Sequence, residues 1–414
     1  VDIVARAWAV YSKCLPYISP GVLTLRSNHT SINATLPKLI MLSYLVAIGA
    51  LVFNILPILL SLIGERKNFS DSQLGDLGSS YFIGFMVITV FAMFWVRRVN
   101  WRRTVNFSLL CSILFFAAIP QLESFGVIAL CLFALGVVMA FIYTPVFTYL
   151  GDTDEPDRAM GVSVVLQVGL AALVAFAIPV LIAPYFGFQG SMCFLSLICG
   201  LSLLLSRFVP ESGRFSFKQA GLREVLVAIK GAEFAPKLGL LAMFIFYLGI
   251  TGLWAFVDRI AQAGGLSAEA AGGAISVALL LGGLTGLIPA LMGQWPSRFI
   301  MLLIGSVVIA VSMLLLMRPM TALSVTFALI LLNSGWNLTV AYGSANVAES
   351  DGSGFLLPML PAAISVAAML APAVGGRLLE FGGNGLFLGF VTVVLMTAQG
   401  LFLYAAYLSD PPRS

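Results

Sequence analysis

Histidine is almost missing from this chain: there is one, His29, in 414 residues. It falls among the first 38 positions, so a histidine-based metal centre or proton relay in the body of the protein is excluded. Charge is scarce as well. Asp, Glu, Lys and Arg make up 10% of the sequence, against about 25% in an ordinary soluble protein. That is too little polar surface to cover a globule in water, so the surrounding solvent is lipid. The five cysteines (Cys14, Cys111, Cys131, Cys193, Cys199) show no CxxC and no Cys/His spacing. Neither a disulfide framework nor a thiolate metal site is indicated, and no cofactor is expected. No basic stripe with interleaved aromatics occurs, which argues against nucleic acid as a partner. Segments of about ten residues with alternating polarity, the mark of a membrane β-barrel, are missing too.

What is present is apolar sequence: 60% of residues are hydrophobic, and the mean hydropathy is +1.03. A spanning helix needs about 20 mostly apolar residues. Twelve such windows run over roughly 39–63, 74–96, 104–120, 125–150, 159–183, 189–209, 237–260, 268–292, 298–317, 321–345, 355–380 and 384–408. The pattern occurs twice. Phe69-Ser70-Asp71-Ser72-Gln73-Leu74-Gly75 opens one apolar helix, and Leu266-Ser267-Ala268-Glu269-Ala270-Ala271-Gly272 opens another 197 positions later. Asp152 maps onto Glu349 at the same offset, and Pro210-Glu211 falls close to the equivalent of Asp410-Pro411. Two equivalent six-helix halves suit a transporter that rocks about a central site; a receptor or simple pore has no need of them.

The division expected is a cytoplasmic N-terminal tail over 1–38, poorly ordered, a six-helix bundle over 39–209, a central loop over 210–236, a second bundle over 237–408 and a tail over 409–414. Orientation follows from Lys and Arg in the loops. Arg97, Arg98, Arg102, Arg103, Arg158, Arg207, Arg214, Lys218, Arg223, Lys230, Lys237, Arg298 and Arg413 fall on one side. Only Arg66, Lys67, Arg259, Arg318 and Arg377 fall on the other. Both termini and the central loop are therefore expected in the cytoplasm, in a bacterial inner (plasma) membrane. Within the central loop, Leu222–Lys230 reads either as a short amphipathic helix on the inner leaflet or as a solvated linker.

Twelve spans, two matching halves and a basic central loop resemble the major facilitator superfamily over about residues 39–408. The loop Arg97-Arg98-Val99-Asn100-Trp101-Arg102-Arg103 keeps the trailing arginine pair of the family's motif between helices 2 and 3, without its leading glycine and its aspartate. Gly293-Gln294-Trp295-Pro296-Ser297-Arg298 is the degenerate counterpart in the second half. Asp152–Gly161 resembles the acidic loop with Arg-x-x-Gly before helix 5, and Pro210-Glu211-Ser212 the Pro-Glu-Ser after helix 6. Ala371-Pro372-Ala373-Val374-Gly375-Gly376 resembles an antiporter signature, here in helix 11. The buried helix-4 arginine of the antiporter subset is missing from the window 125–150, so a drug/proton antiporter subclass does not follow.

The resemblance implies an all-α membrane protein of twelve transmembrane helices, with helices 1, 4, 7 and 10 lining a cavity and 2, 5, 8 and 11 at its sides. The polar and aromatic candidates for solute binding are then Asn54, Tyr143, Gln167, Tyr247, Trp254, Asn333, Trp336 and Asn337. Asn333, Trp336 and Asn337 stand at i, i+3 and i+4, on one helical face. They form either a patch that stacks on a ring and hydrogen-bonds its substituents, or amides that glue helix 10 to its neighbours. Tyr247 and Trp254, one heptad apart, line the cavity or pack. The gating and coupling candidates are Arg97, Arg98, Arg102 and Arg103 against Asp152, Asp154, Glu155 and Asp157 of the next inner loop, together with Arg158, and Asp258 or Glu380 paired with Arg377 at the other end. Asp76, Asp258, Arg259, Arg377 and Glu380 all sit near an interface, where snorkelling accounts for them equally well.

No carboxylate falls at mid-depth of helices 1, 4, 7 or 10, so the expected solute is small, organic and neutral or weakly charged. The function read from the sequence is secondary active transport by alternating access, in a monomer, with a small-molecule solute and membrane lipid as partners and H+ as the candidate coupling ion. An efflux pump for hydrophobic compounds and a non-transporting sensor with a transporter fold stay open. An enzyme is not expected, since clustered His, Asp or Ser at membrane depth are missing.

Overall fold

The structure, a computed structural model, describes residues 35–96, 98–151, 153, 156–212, 233–288, 297–350, 356 and 359–409. For residues 93, 94, 151, 156–158, 160, 161, 287, 348, 349 and 361 only the backbone is described. Twelve helical passes run through these residues, and no strand occurs among them. The first bundle holds α1 (Leu36–Lys67), α2 (Asp71–Val90), α3 (Trp101–Ala118), α4 (Phe125–Gly151), α5 (Pro156–Ala177, extended by a π turn over Ile178–Ile182) and α6 (within Ala183–Ser202). The second holds α7 (Phe234–Ala263), α8 (Ala268–Leu284), α9 (Arg298–Leu316), α10 (Ala322–Ser350), α11 (360–382) and α12 (384–409).

Local chemistry fixes the helix starts. Ser70 caps α2 in a reciprocal capping box with Gln73, and Asn100 caps α3 by accepting from the Arg103 amide. Ser267 caps α8 and Ser297 caps α9. Each cap of the second bundle lies 197 positions after its counterpart in the first. Two reversals match at an offset one residue shorter. Gly187 (φ 61°, ψ −158°) turns α5 into α6, and Gly383 (φ 64°, ψ −169°) turns α11 into α12. A side chain at that backbone geometry is strained, so only glycine allows so short a connection. The reversal at Gly383 is visible in the contacts of α7. Gly252 meets Ala371 and Phe256 meets Gly375, whereas Phe256, Gly249 and Phe246 meet Phe387, Leu395 and Phe402 in the opposite direction.

Among the described residues, eight stretches are long and apolar enough to cross a membrane. Two of them, of 47 and 48 residues, are the doubled passes α5–α6 and α11–α12. Phe107, Leu114, Leu130, Leu204, Leu323 and Val393 are among the large side chains that face outward, where lipid would cover them. Away from water a buried polar group is stabilised by a partner, and one such network crosses three helices. Ser306 donates to Gln399 Oε1 (3.0 Å), and Gln399 Nε2 donates to Thr339 Oγ1 (2.8 Å), which ties α9, α12 and α10 together.

The two bundles meet along α2–α11, α5–α8 and α1–α7. The α2–α11 seam closes where α1 passes into α2. A Cβ at Gly75 would run into the Pro372 carbonyl oxygen, and one at Gly376 into the Asp71 carbonyl oxygen. The α5–α8 seam repeats this, with Gly272, the counterpart of Gly75, seated on Pro179 and Ala175. All these contacts lie toward one end of the molecule. No substantial packing joins α4 to α10 among the described residues, so the bundles diverge toward the other end.

The N-terminal stretch 1–34, the proposed surface helix 222–230, and Arg97, Asp152 and Asp154 lie outside the described residues. The Arg158 side chain does too.

Candidate functional site

The site is built on a seam of aromatic rings at mid-depth, drawn from both bundles. Trp336 of α10 stands at its centre. Its ring meets Tyr247 (5.9 Å between centroids) and Trp254 (6.2 Å), both of α7, and Phe53 of α1 (6.3 Å). From Phe53 the contacts run to Phe82 (5.5 Å), Tyr81, Phe85, Tyr143 and Phe147 of α2 and α4. Most are edge-to-face or tilted, the arrangement that ring quadrupoles favour. Tyr143 and Phe147 instead stack, at 5.0 Å and 16°. Gly49 lets α1 approach α4 closely at this point, since a Cβ there would collide with the Tyr143 backbone. The bundles are also joined here by one polar contact: the Trp254 indole N–H donates to the Asn54 carbonyl at 3.2 Å. Tyr247 and Trp254 are buried, while Phe53, Asn54, Phe85, Tyr143, Phe147 and Trp336 keep part of their surface open.

The three candidates on α10 separate. Trp336 faces the seam. Asn333 is buried against Gly282 of α8 and donates to the Leu329 carbonyl one turn back (3.0 Å). Asn337 donates to the Asn333 carbonyl (2.9 Å) and across to the Gly282 carbonyl (3.2 Å). Among the remaining candidates, Asn54 donates to the Ala50 carbonyl, and Gln167 to the Ser163 hydroxyl at 3.1 Å. Phe53, Phe85 and Phe147 were not singled out from the sequence. A phenylalanine in an apolar run carries no mark that distinguishes a seam position from a lipid-facing one.

At the end where α1 meets α2, polar side chains bridge the bundles. Arg259 of α7 holds Asp71 with Nη2 at 2.6 Å and Nε at 2.7 Å. Arg377 of α11 forms a two-armed contact with Asp76, at 2.7 and 3.3 Å. Glu380 accepts from the Ser70 hydroxyl (3.0 Å) and the Ser72 amide (3.1 Å), a carboxylate at a helix N-terminus. This corrects the pairing expected from sequence. Arg377 reaches across the seam to Asp76, since Asp258 and Glu380 are otherwise engaged. Asp258 is 3% exposed and accepts from Gln262 at 2.7 Å. We refer to this as the sealed end.

At the opposite end, Arg102 is engaged within its own bundle. Its Nε donates to the Val209 carbonyl (2.9 Å) and its Nη1 lies 3.9 Å from Glu211, next to the hydrogen bond that the Trp101 amide N–H donates to the Glu211 carbonyl. Arg102 thus fastens the start of α3 to the end of α6 within one bundle. Arg98 is exposed, and the Arg103 amide serves the Asn100 cap.

Comparison with known proteins agrees with this architecture. The structure superposes on the nucleoside transporter NupG (TM-score 0.69, 13% identity, 90% of this chain and 97% of that one). A single-substitution mutant of NupG gives a TM-score of 0.71 at 12% identity, covering 90% and 99%. A bacterial homologue of the human lysosomal transporter Spinster, solved inward-facing and unoccupied, gives 0.64 at 16% identity, covering 90% and 98%. At these identities the likeness is one of fold. No curated protein sequence matches the chain. The sequence profile of the Major Facilitator Superfamily matches residues 41–356. With that match over most of its length, the chain belongs to the major facilitator superfamily.

Proposed function

We propose that the protein is a secondary active transporter that moves a small, neutral or weakly charged organic solute across a bacterial inner membrane by alternating access. The observation that carries this reading is the aromatic seam, whose rings come from both bundles and meet between them. A solute held there touches both halves, so its binding energy can be felt by their relative rotation. The rings offer stacking faces, the Asn54 amide and the Tyr143 and Tyr247 hydroxyls offer hydrogen bonds, and no ionised side chain contributes to the seam. Those properties suit a ring-bearing solute without strong charge. Asn333, Asn337 and Gln167 support the walls on this reading.

The Lys and Arg bias places the sealed end outside and the diverging end in the cytoplasm. The conformation is then inward-facing, with Arg259–Asp71, Arg377–Asp76 and Glu380 at the α2 start acting as the outer gate.

A thermal-shift panel on the purified protein tests the substrate class, with nucleosides, sugars, aromatic acids, amino acids and lipophilic drugs as arms. One class stabilises the wild type, and the effect disappears in Trp336→Ala but survives in Trp336→Phe. Uptake of that class into proteoliposomes falls with it. An undiminished response in Trp336→Ala removes the seam as the site. Export of hydrophobic compounds is the second reading, favoured by how few polar groups the seam contains; stabilisation by the lipophilic arm alone selects it.

A further inference from the structure

α1 is buried over most of its length. Between Leu45 and Ser61 only Phe53 and Asn54 keep part of their surface open. This is the turn that meets the aromatic seam, where Phe53 touches Trp336 and Trp254 reaches the Asn54 carbonyl. Pro57 follows three and four positions later, inside the same helix. A proline has no N–H, and its ring crowds the carbonyl four residues back. In α1 that carbonyl belongs to Phe53, so it loses its helical donor at the turn that opens to the seam. The bond from Trp254 to the next carbonyl, that of Asn54, is an independent sign that this turn can be reached from outside the helix. Pro145 frees the Phe141 carbonyl of α4 in the same way, but Phe141 packs on Trp95, outside the chain of seam rings.

The Asn54 side chain adds a second acceptor. Its Nδ2 donates back to the Ala50 carbonyl at 3.0 Å. That carbonyl can only accept, which fixes the orientation of the amide. The Oδ1 accepts no hydrogen bond among the described residues and is not enclosed. Donors of the seam are engaged by comparison. The Trp254 N–H is held by the Asn54 carbonyl, and the Trp336 N–H serves the Tyr247 hydroxyl. Thr251 donates its hydroxyl to the Tyr247 carbonyl. The matching turn of α7 has no freed carbonyl, because Trp254 stands 197 positions after Pro57 and keeps its backbone N–H. The unmet acceptors therefore belong to the first bundle, beside the Trp336 indole of the second.

We propose that the Pro57 turn of α1 selects solutes that donate hydrogen bonds. The Phe53 carbonyl and Asn54 Oδ1 take an N–H or O–H carried on or beside the solute's ring, while the ring rests against Trp336. The class is a neutral aromatic solute with a ring N–H, a primary or secondary amide, or a hydroxyl. Fully alkylated hydrophobic compounds fit poorly, since they displace water and leave both acceptors unmet. The inference rests on the seam being the solute site. It adds that the bound solute is tied to the first bundle by polar contact and to the second by its ring.

The test uses full-length protein in detergent and matched probes in which one member has its donor capped by methyl: indole and N-methylindole, theophylline and caffeine, benzamide and N,N-dimethylbenzamide. Affinity is read from the rise in unfolding temperature over a concentration series. In the wild type the donor-bearing member binds about fivefold tighter than its capped partner, the size of one hydrogen bond. Pro57→Ala returns an N–H to the Phe53 carbonyl, and Asn54→Leu removes the Oδ1. Each variant shrinks the preference, while the capped member binds as it does to wild type. Equal affinity of both members for the wild type, lost in Trp336→Ala, overturns this inference and leaves the seam as the solute site. A preference that persists unchanged in both variants overturns it too. Absence of binding by every member, capped or not, removes the seam reading and this inference with it. Should one variant fail to fold, the other and the wild-type ratio decide.

Discussion

Trp336 and Asn337 are neighbours on the same turn of α10, yet their side chains meet different surroundings. The indole turns into the space between the bundles and touches rings from α1 and α7. The amide of Asn337 turns to α8, where Gly282 leaves its carbonyl exposed for a hydrogen bond at 3.2 Å. Asn337→Asp removes both amide donors and sets an acceptor against two carbonyls. The expected loss is about 1–3 kcal/mol of stability, seen as a lower unfolding temperature in detergent without solute. Trp336→Ala, which opens a partly exposed ring site, acts mainly on solute binding. An Asn337→Asp protein as stable as wild type would show that the α8–α10 contact carries little energy.

At the level of elements, the repeated Gly75 and Gly272 mark the closest approaches of the two seams. Each glycine sits one turn into its helix, behind a serine cap, and each receives a proline-bearing helix from the other bundle. Gly75→Ala forces α2 away from the Pro372 carbonyl, and overpacking of this kind costs about 1–3 kcal/mol. Since the seam exists only while this end is shut, that cost falls on the sealed state. Labelling of Ser61→Cys by an impermeant thiol reagent, in a background without the native cysteines, is expected to accelerate at least several-fold in Gly75→Ala and in Gly376→Ala. Equal labelling rates would mean that the seam relaxes around the methyl group. The polar bridges do not share this symmetry. Asp71, Asp76, Arg259, Arg377 and Glu380 all serve the α2–α11–α7 side. Among the described residues, the α5–α8 seam shows apolar contact and a hydrogen bond from Ser276 to the Ala172 carbonyl at 2.8 Å.

For the whole molecule, if the proposed alternation holds, the balance between sealed and opened states rests on the ionic contacts of the sealed end, and among the described residues these are unequal. Arg259 and Asp71 are each 29% exposed, whereas Arg377 and Asp76 are 57% and 37% exposed. Exposed pairs contribute less than about 1 kcal/mol and fade with salt. Asp71→Asn is therefore expected to shift the population toward the outward-open form more than Asp76→Asn. Raising salt should weaken only the latter pair appreciably. Spin-label distances between the α1–α2 and α7–α8 connections, measured with and without added salt, read both populations. A larger effect from Asp76→Asn would reverse the ranking.

Much of this protein was legible in the chain. Apolar runs of spanning length, the 197-residue repeat and the Lys/Arg bias are one-dimensional properties, and the helix caps Ser70, Asn100, Ser267 and Ser297 depend on residues three positions apart. Spacing also placed Asn333, Trp336 and Asn337 on one face, but a helical face is wide enough to meet two neighbours at once. Which of these side chains turned to α8 and which to the space between bundles depended on where Gly282 and Tyr247 came to rest. The partner of Arg377 and the membership of Phe53, Phe85 and Phe147 in the ring seam likewise join residues far apart in sequence. Local chemistry determines that a helix forms and how long it is. Only the closing of one bundle on the other decides what each polar or aromatic side chain touches, because those contacts are made between chain segments with no sequence relation to one another.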